Sequence, residues 1–367
     1  MSERSFTINA RFAGARMTGV QRSAFEIVSR LVREDPDKYK LYAPPPREKE
    51  NDPSLNIEHR GRIRHGHLWE QLELPQLMKR TGREGVLYSP VMSGPLAVKR
   101  QVLTMHDLFP VENPEWFSRA YSAWYRLLIP RLLRRVAYIM ASSEYTRERI
   151  LCRYGLPEDK VVLCRLAHNE RFAPPSDEEA ARFREEQGLP DRYLLYVGSV
   201  EPRKNLKTLV SAWKRTLAHE QGVKLVIAGG AGQKAVFNAA ESGAELLQDP
   251  TIRSLGYFSD ESLPLLYGAA EAFALPSLAE GFGFPVLEAM ACGTPVICSN
   301  TTSTAEVAGE AARLEPPLEA EAWTQAIDST LSDPATQKRM RLEGLKRASG
   351  FSWSKAAATV RETLEAV

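Results

Sequence analysis

No apolar run in this chain of 367 residues approaches the ~18 needed to cross a bilayer as a helix. The N-terminus Met-Ser-Glu-Arg-Ser-Phe also lacks the apolar core of a signal peptide, so the chain is expected to stay in the cytosol. Cysteine is scarce. Its four copies (Cys152, Cys164, Cys292, Cys298) show no C-x-x-C spacing and sit in apolar stretches, which suits reduced packing residues rather than disulfides or metal ligands. His65 and His67 have no third ligand beside them, which argues against a metal site. The glycines of V-I-A-G-G-A-G-Q (226–233) lack G-x-G-x-x-G spacing and a placed ribose acid, which argues against a nicotinamide site. No Asp-x-Asp pair stands at a strand end to hold a phosphate-bound metal.

What remains is ordinary soluble composition, 43% apolar and 26% charged, at a length that favours two domains. The net charge of +2 conceals an asymmetry. Residues 1–172 carry 29 Lys+Arg against 20 Asp+Glu, a balance of +9, and the rest of the chain balances at −7. A basic half facing anionic lipid or a phosphorylated substrate is one account, and drift of surface charge is the other. No nucleic-acid partner is expected.

Strand-like and helix-like segments alternate through both halves, which predicts α/β architecture with parallel sheets covered on both faces. A-P-P-S-D-E-E (173–179) is the clearest boundary, dividing domain 1–172 from domain 173–350, with a capped amphipathic helix at 351–367. The segment 44–66 reads as loops, 68–80 as a helix interrupted near Pro75, 117–135 as an aromatic and basic helix, and 205–218 and 233–247 as further helices. Ser142 or Ser143 caps the helix that follows the strand V-A-Y-I-M-A.

The stretch E-G-F-G-F-P-V-L-E-A-M-A-C-G-T-P-V (280–296) concentrates the functional signals. Gly281 and Gly283 permit close backbone approach to a ligand, and Pro285 suits the first position of a helix that stops at Gly293. Glu280 and Glu288 flank that helix start, where free N–H groups favour anions, so two carboxylates there look misplaced unless they bind hydroxyls. Upstream, Y-V-G-S-V-E-P-R-K-N-L places Gly198, Arg203 and Lys204 between a strand end and a helix start, an arrangement suited to an anion. His106, followed by Asp107, stands just past the carboxyl end of a strand, where open α/β sheets place ligands. Gly19, in a turn between the first strand and first helix, is positioned to approach a phosphate.

These segments together resemble the family 4 glycosyltransferases. Residues 280–296 are similar to the family's motif of two glutamates enclosing G-F-G-x-P-x-x, followed by A-x-A-x-G-x-P-V. T-G-V-Q-R (18–22) resembles its N-terminal loop, with Gln21 where glycine is usual, and His106-Asp107 and E-P-R-K-N (201–205) match further elements. The resemblance spans essentially the whole chain and is densest over 193–309. It implies the GT-B fold, two Rossmann-like domains facing each other across a cleft, with the final helix and Trp353 packed back on the first domain. It further implies a retaining, metal-independent transferase that uses a nucleotide-diphosphate sugar and has no cofactor. Arg203 and Lys204 would bind the diphosphate, Glu280 and the amides of Gly281, Phe282 and Gly283 the donor sugar, Glu288 the ribose and His106 the sugar's O6. The Gly19 loop would close over the diphosphate and acceptor, and Tyr257 or Phe258 would stack on the base. The motifs look most like bacterial mannosyltransferases of surface polysaccharide assembly. That favours GDP-mannose over UDP- or dTDP-sugars and a saccharide or lipid-linked acceptor, with peripheral contact at the inner membrane face left open. A nucleotide-sugar epimerase and a non-catalytic nucleotide-sugar-binding protein are the competing readings.

Overall fold

Strands covered on both faces read as continuous apolar runs, and Phe6–Asn9 (β1), Val86–Ser89 (β4) and Gln101–Met105 (β5) are buried at every position. In this computed structural model, which describes residues 5–15, 17–46, 55–80, 85–230, 236 and 249–367, they form the centre of a parallel sheet. The sheet is completed by β2 (Tyr39–Ala43), β3 (Ile57–His59), β6 (Tyr138–Ala141) and β7 (Val161–Leu163), in the order β3-β2-β1-β4-β5-β6-β7. A second parallel sheet runs β10-β9-β8-β11-β12-β13, from β8 (Tyr193–Val197), β9 (Lys224–Ala228), β10 (Ile252–Gly256), β11 (Ala272–Leu275), β12 (Val296–Ser299) and β13 (Arg313–Glu315). In each sheet the strand order reverses direction at one place, between β1 and β4 in the first and between β8 and β11 in the second. Such a switch point opens a crevice at the carboxyl ends of the strands.

The chain divides into two compact units. One comprises Met1–Glu112, Ser122–Leu166 and Ser352–Val367, the other Asn113–Tyr121 and Ala167–Phe351. The helix Trp353–Glu365 belongs to the first. It buries Trp353, Ala357, Val360 and Leu364, pairs Arg361 with Glu34, and offers Glu365 to Lys38 at 2.7 Å.

Several elements differ from the sequence expectation for identifiable reasons. β3 lies in the segment read as loop because an edge strand of sequence I-E-H, partly exposed, carries no apolar run. The interruption expected near Pro75 is present and falls at Glu73, between the helices Gly66–Leu72 and Leu74–Arg80; the Glu73 carboxylate accepts the Arg62 and Ile63 amides. The 205–218 helix is likewise split into Leu206–Trp213 and Leu217–Glu220, where Thr216 caps the second piece by accepting the His219 amide. Ser143, not Ser142, is the cap of Glu144–Tyr154. The four cysteines are free, and Cys152 is exposed rather than packed. The helix expected over 233–247 lies outside the described residues apart from 236. Among the described residues no helix is long and apolar enough to cross a membrane.

The second sheet requires glycine at one contact. Gly229 has φ +150°, and a Cβ there would stand 1.9 Å from the Gly198 carbonyl oxygen, whereas a Cβ on Gly230 would meet nothing within 4 Å among the described residues. Gly229→Ala should therefore lower the unfolding free energy by roughly 2–4 kcal/mol, and Gly230→Ala should change it by no more than about 0.5 kcal/mol. Urea titration of the two variants side by side checks this; equal losses would mean that the backbone contact is not the cause.

Candidate active site

Two loops meet at the switch point of the second sheet. After β8 the chain makes a short turn at Pro202–Lys204, then passes through Asn205 in the left-handed region (φ 53°) to enter the helix Leu206–Trp213. After β11 the loop 276–283 leads into the helix Phe284–Ala291. Asparagine tolerates the left-handed conformation better than most residues, and here its side chain ties the loops together. Asn205 Nδ2 donates to the Pro276 carbonyl at 3.0 Å and to that of Pro317 at 2.5 Å. The Leu278 amide closes the junction by donating to the Arg203 carbonyl at 2.8 Å.

This junction aims Arg203 and Lys204 at Glu280. Arg203 Nη1 reaches Glu280 Oε2 and the Ala279 carbonyl, both at 2.7 Å, and its Nη2 reaches Glu201 Oε1 at 2.6 Å. Lys204 Nζ and Ser277 Oγ both donate to Glu280 Oε1, at 2.7 and 2.6 Å. The Glu280 backbone is fixed as well, its N–H donating to Thr302 Oγ1 at 3.0 Å and its carbonyl accepting from Ser303 Oγ at 2.5 Å. Thr302 holds that position at φ 56°, a conformation in which a β-branched residue is strained. Glu280 is only 6% exposed. Burial by itself would raise its pKa, but the charges of Arg203 and Lys204 prevail and hold it down to about 2. Near neutral pH it is therefore a carboxylate that accepts hydrogen bonds and cannot serve as a proton donor. With Glu201, the two carboxylates balance the two cations.

Other expected site residues divide by what they can offer. Glu288 is the fifth residue of its helix, in the second turn rather than the first, and its Oε2 accepts from the Tyr267 hydroxyl at 3.2 Å. Pro285 is at the second helical position, where it likewise forfeits no hydrogen bond. Gly283 caps this helix at φ 98°. The Phe282 ring packs against Phe284 and Phe351. The Gly198 amide donates to the Ala228 carbonyl at 2.9 Å, so its N–H is already engaged within the sheet. Of the two candidate stacking rings, Phe258 packs edge-on against Phe183 while Tyr257 is 71% exposed.

In the first unit, His106 is buried past the end of β5, with Nε2 3.4 Å from the Pro90 carbonyl. Burial, partly opposed by that carbonyl, lowers its pKa to about 4, so the ring is neutral near pH 7. Its backbone carbonyl accepts from Ser142 Oγ and Thr146 Oγ1, both at 3.0 Å, and Asp107 turns back to accept the Phe109 amide. Gly19 is the first residue of the helix Gly19–Glu34. Among the described residues no three His, Cys, Asp or Glu side chains cluster as a metal site, His65 and His67 included. Sequence reasoning missed Glu201, Ser277 and the run Thr301–Ser303. The string T-T-S-T (301–304), which opens the helix Thr302–Ala308 just after β12, is the signal that was available.

The ion cluster has a consequence for stability. Folding lowers the Glu280 pKa from 4.5 to about 2, so its contribution is complete above about pH 4.5 and is lost as pH falls through about 2. The difference in urea unfolding free energy between the wild type and Glu280→Gln should shrink by about 2 kcal/mol from pH 6 to pH 3. A difference that does not change with pH would show that Glu280 titrates normally.

Two family models match the chain: Glycosyltransferase Family 4 over residues 17–165 and Glycosyl transferases group 1 over 177–347. The O-antigen chain mannosyltransferase B of Escherichia coli is 33% identical over 276 residues, 74% of this chain and 71% of that protein. The serotype-specific mannosyltransferase WbdA of the same organism is 29% identical over 70% of this chain, which spans 32% of that longer protein. Among solved structures, Anabaena Alr3699/HepE in complex with UDP and glucose superposes with a TM-score of 0.75 at 16% identity, over 100% of both chains. WaaG, a glycosyltransferase involved in lipopolysaccharide biosynthesis, superposes at 0.72 and 14% identity over 98% of this chain and 99% of its own. The paired Rossmann-like units are those of the GT-B fold, and the chain belongs to the family 4 glycosyltransferases.

Proposed function

We propose that this glycosyltransferase moves mannose, with retention, from GDP-mannose to a saccharide or lipid-linked saccharide in the assembly of a surface polysaccharide. The observation that carries the site assignment is the Arg203–Lys204–Glu280 cluster at the switch point of the second sheet. The mannosyltransferase named among its relatives supports the choice of sugar. In this reading the diphosphate lies against Arg203 and Lys204. Lys204 donates to Glu280 and retains ammonium N–H bonds for phosphate oxygens, where negative charge grows as the glycosidic bond breaks. Glu280, held ionised, accepts from hydroxyls of the donor sugar, and neutral His106 bonds its O6. Glu288 holds the ribose, with Tyr267 fixing its carboxylate, and Tyr257 stacks on the base. The acceptor hydroxyl attacks from the face that the diphosphate leaves, so no protein nucleophile is needed.

The roles separate in kinetics and calorimetry. Lys204→Ala should lower kcat roughly 100-fold, since its contact strengthens toward the transition state. Glu288→Gln should weaken GDP and GDP-mannose alike, by about tenfold, and Glu280→Gln should weaken GDP-mannose alone. If Glu288→Gln left GDP affinity unchanged, the assignment of residues 280–296 would be out of register. Titration of GDP-, UDP- and dTDP-sugars in parallel tests the base.

We also infer peripheral contact with an anionic membrane. The helix Arg119–Arg135 exposes Arg119, Arg126, Arg131, Arg134, Arg135 and Leu127, within a half of the chain that balances at +9. Co-sedimentation with phosphatidylglycerol vesicles should fall steeply with salt, because surface attraction is screened over ~10 Å at 0.1 M. Equal partitioning to neutral phosphatidylcholine vesicles would rule this out.

A further inference from the structure

The chain enters the main body of the second unit after Leu166 and leaves it at Ser352. Just inside each crossing, and wholly within the second unit, a phenylalanine packs against a residue of the candidate donor site. At the first crossing the chain turns at Asn169, whose carbonyl accepts the Phe172 amide at 3.0 Å and whose Oδ1 accepts the Arg171 amide at 3.1 Å. The turn delivers the buried Phe172 to Tyr267, with ring centroids 6.0 Å apart at 65°. Phe273 meets the same tyrosine at 5.4 Å and 74°, and the Tyr267 carbonyl accepts from Thr294 Oγ1 at 2.8 Å. Pro175 adds a second contact, seated so close to Gly268 that a Cβ there would come within 2.2 Å of its Cδ. With ring and backbone both fixed, the Tyr267 hydroxyl is aimed at Glu288 Oε2.

At the second crossing Phe351 is the last residue of the unit. Its amide donates to the Ala348 carbonyl at 3.1 Å, and the Arg347 guanidinium lies 5.2 Å from its ring centroid while Nε donates to the Val307 carbonyl at 2.8 Å. Phe351 meets Phe282 edge to face at 6.0 Å and 77°, and Phe284 stands 5.0 Å from the same ring. Phe282 carries the only side chain in the triplet G-F-G (281–283). Glycines bring no side chain to hold a loop, so the course of the backbone running on from Glu280 depends on where the Phe282 ring is held.

We propose that Phe172 and Phe351 are positioning residues that serve different halves of the donor site. Phe172 acts through Tyr267 on Glu288, and so on the nucleoside; Phe351 acts through Phe282 on the segment 280–283, and so on the sugar. The proposal rests on the reading above in which Glu288 holds the ribose and Glu280 the donor sugar. Leucine at either position keeps an apolar group and loses the edge-to-face geometry of the ring pair.

The test is calorimetric titration of the full chain with the nucleotide and nucleotide sugar that the wild type binds, GDP and GDP-mannose in this reading. Phe172→Leu should weaken both ligands about three- to tenfold, whereas Phe351→Leu should weaken the nucleotide sugar by a similar factor and leave the nucleotide within about twofold. Tyr267→Phe keeps the ring and removes the hydroxyl. It should weaken the nucleotide as Phe172→Leu does, and the double variant should lose no more than the weaker-binding single one, because both changes act on one carboxylate. Leu331→Ala, a buried truncation on the helix Ala320–Ser332, should lower Tm with both affinities unchanged. If a leucine variant does not fold, methionine at the same position is measured in its place.

Losses that do not sort by ligand would overturn the proposal, as would additive losses in the Phe172/Tyr267 pair, affinities that neither phenylalanine variant alters, or equal losses in Leu331→Ala. Glu288→Gln separates the two possible failures. If it leaves nucleotide affinity unchanged, the ribose reading falls; if it weakens the nucleotide while Phe172→Leu and Tyr267→Phe do not, that reading stands and the positioning role falls. A wild type that bound no nucleotide would remove both.

Discussion

A carboxylate taken out of water must bring its counter-charges with it. Glu280 brings two, and the loops around it are shaped by that need. Arg203 and Lys204 come from one side of the switch point and Glu280 from the other. The ion cluster therefore fastens together two loops that the strand order would otherwise separate. Asn205, Thr302 and Ser303 then fix the backbone on which the charges sit. Buried ion pairs are weak contributors to net stability, and residues such as Thr302 in the left-handed region cost about 1–3 kcal/mol each. An arrangement that gains little in stability and still carries such strain is better explained by what it holds in readiness than by what it adds to the fold.

The same topological device occurs in each unit taken alone. Parallel strands deliver their carboxyl ends to one edge, and where the order reverses, two neighbouring loops diverge and leave a crevice. In the second unit that crevice holds Arg203, Lys204 and Glu280; in the first it holds Asn9, Arg11, Glu70 and Ser93. Both clusters combine arginine with a buried glutamate. Their difference lies in the oxygens. Glu280 has both of its carboxylate oxygens engaged, whereas among the described residues Glu70 leaves one unpartnered beside a neutral histidine.

Much of this could be read in advance because buried parallel strands declare themselves. Y-L-L-Y-V and Q-V-L-T-M have no polar face to confuse the pattern, and β3 and β13, at the sheet edges, escaped for the opposite reason. The cluster residues Arg203, Lys204 and Glu280 were legible as residue types at strand ends, but their mutual pairing was not, since residues 76 and 77 positions apart share no local signal. Sequence placed the two cations against a diphosphate; the fold shows them already bonded to Glu280. The Glu70 cluster was illegible for a similar reason. Asn9 ends β1, Arg11 lies in the turn after it, Ser93 in the loop after β4 and Glu70 on the helix Gly66–Leu72, and none belongs to a recognisable string.

The prior pairing of the cations changes how an anion would be held. Two free cations would attract a diphosphate from solution, but Arg203 and Lys204 sit 14% and 9% exposed, each already bonded to a carboxylate, in a cluster without net charge. Long-range attraction from such a cluster is small, and its contribution comes at contact, through N–H bonds fixed in direction before the ligand arrives. Preorganisation of this kind favours the state in which charge has moved onto the leaving group over the state in which the donor is merely bound. Glu280 enforces this distinction. In the proposed reading, by satisfying the cations in the absence of donor it would limit what ground-state binding can gain from them, and would leave the Lys204 ammonium to meet the charge that develops as the bond to the sugar breaks.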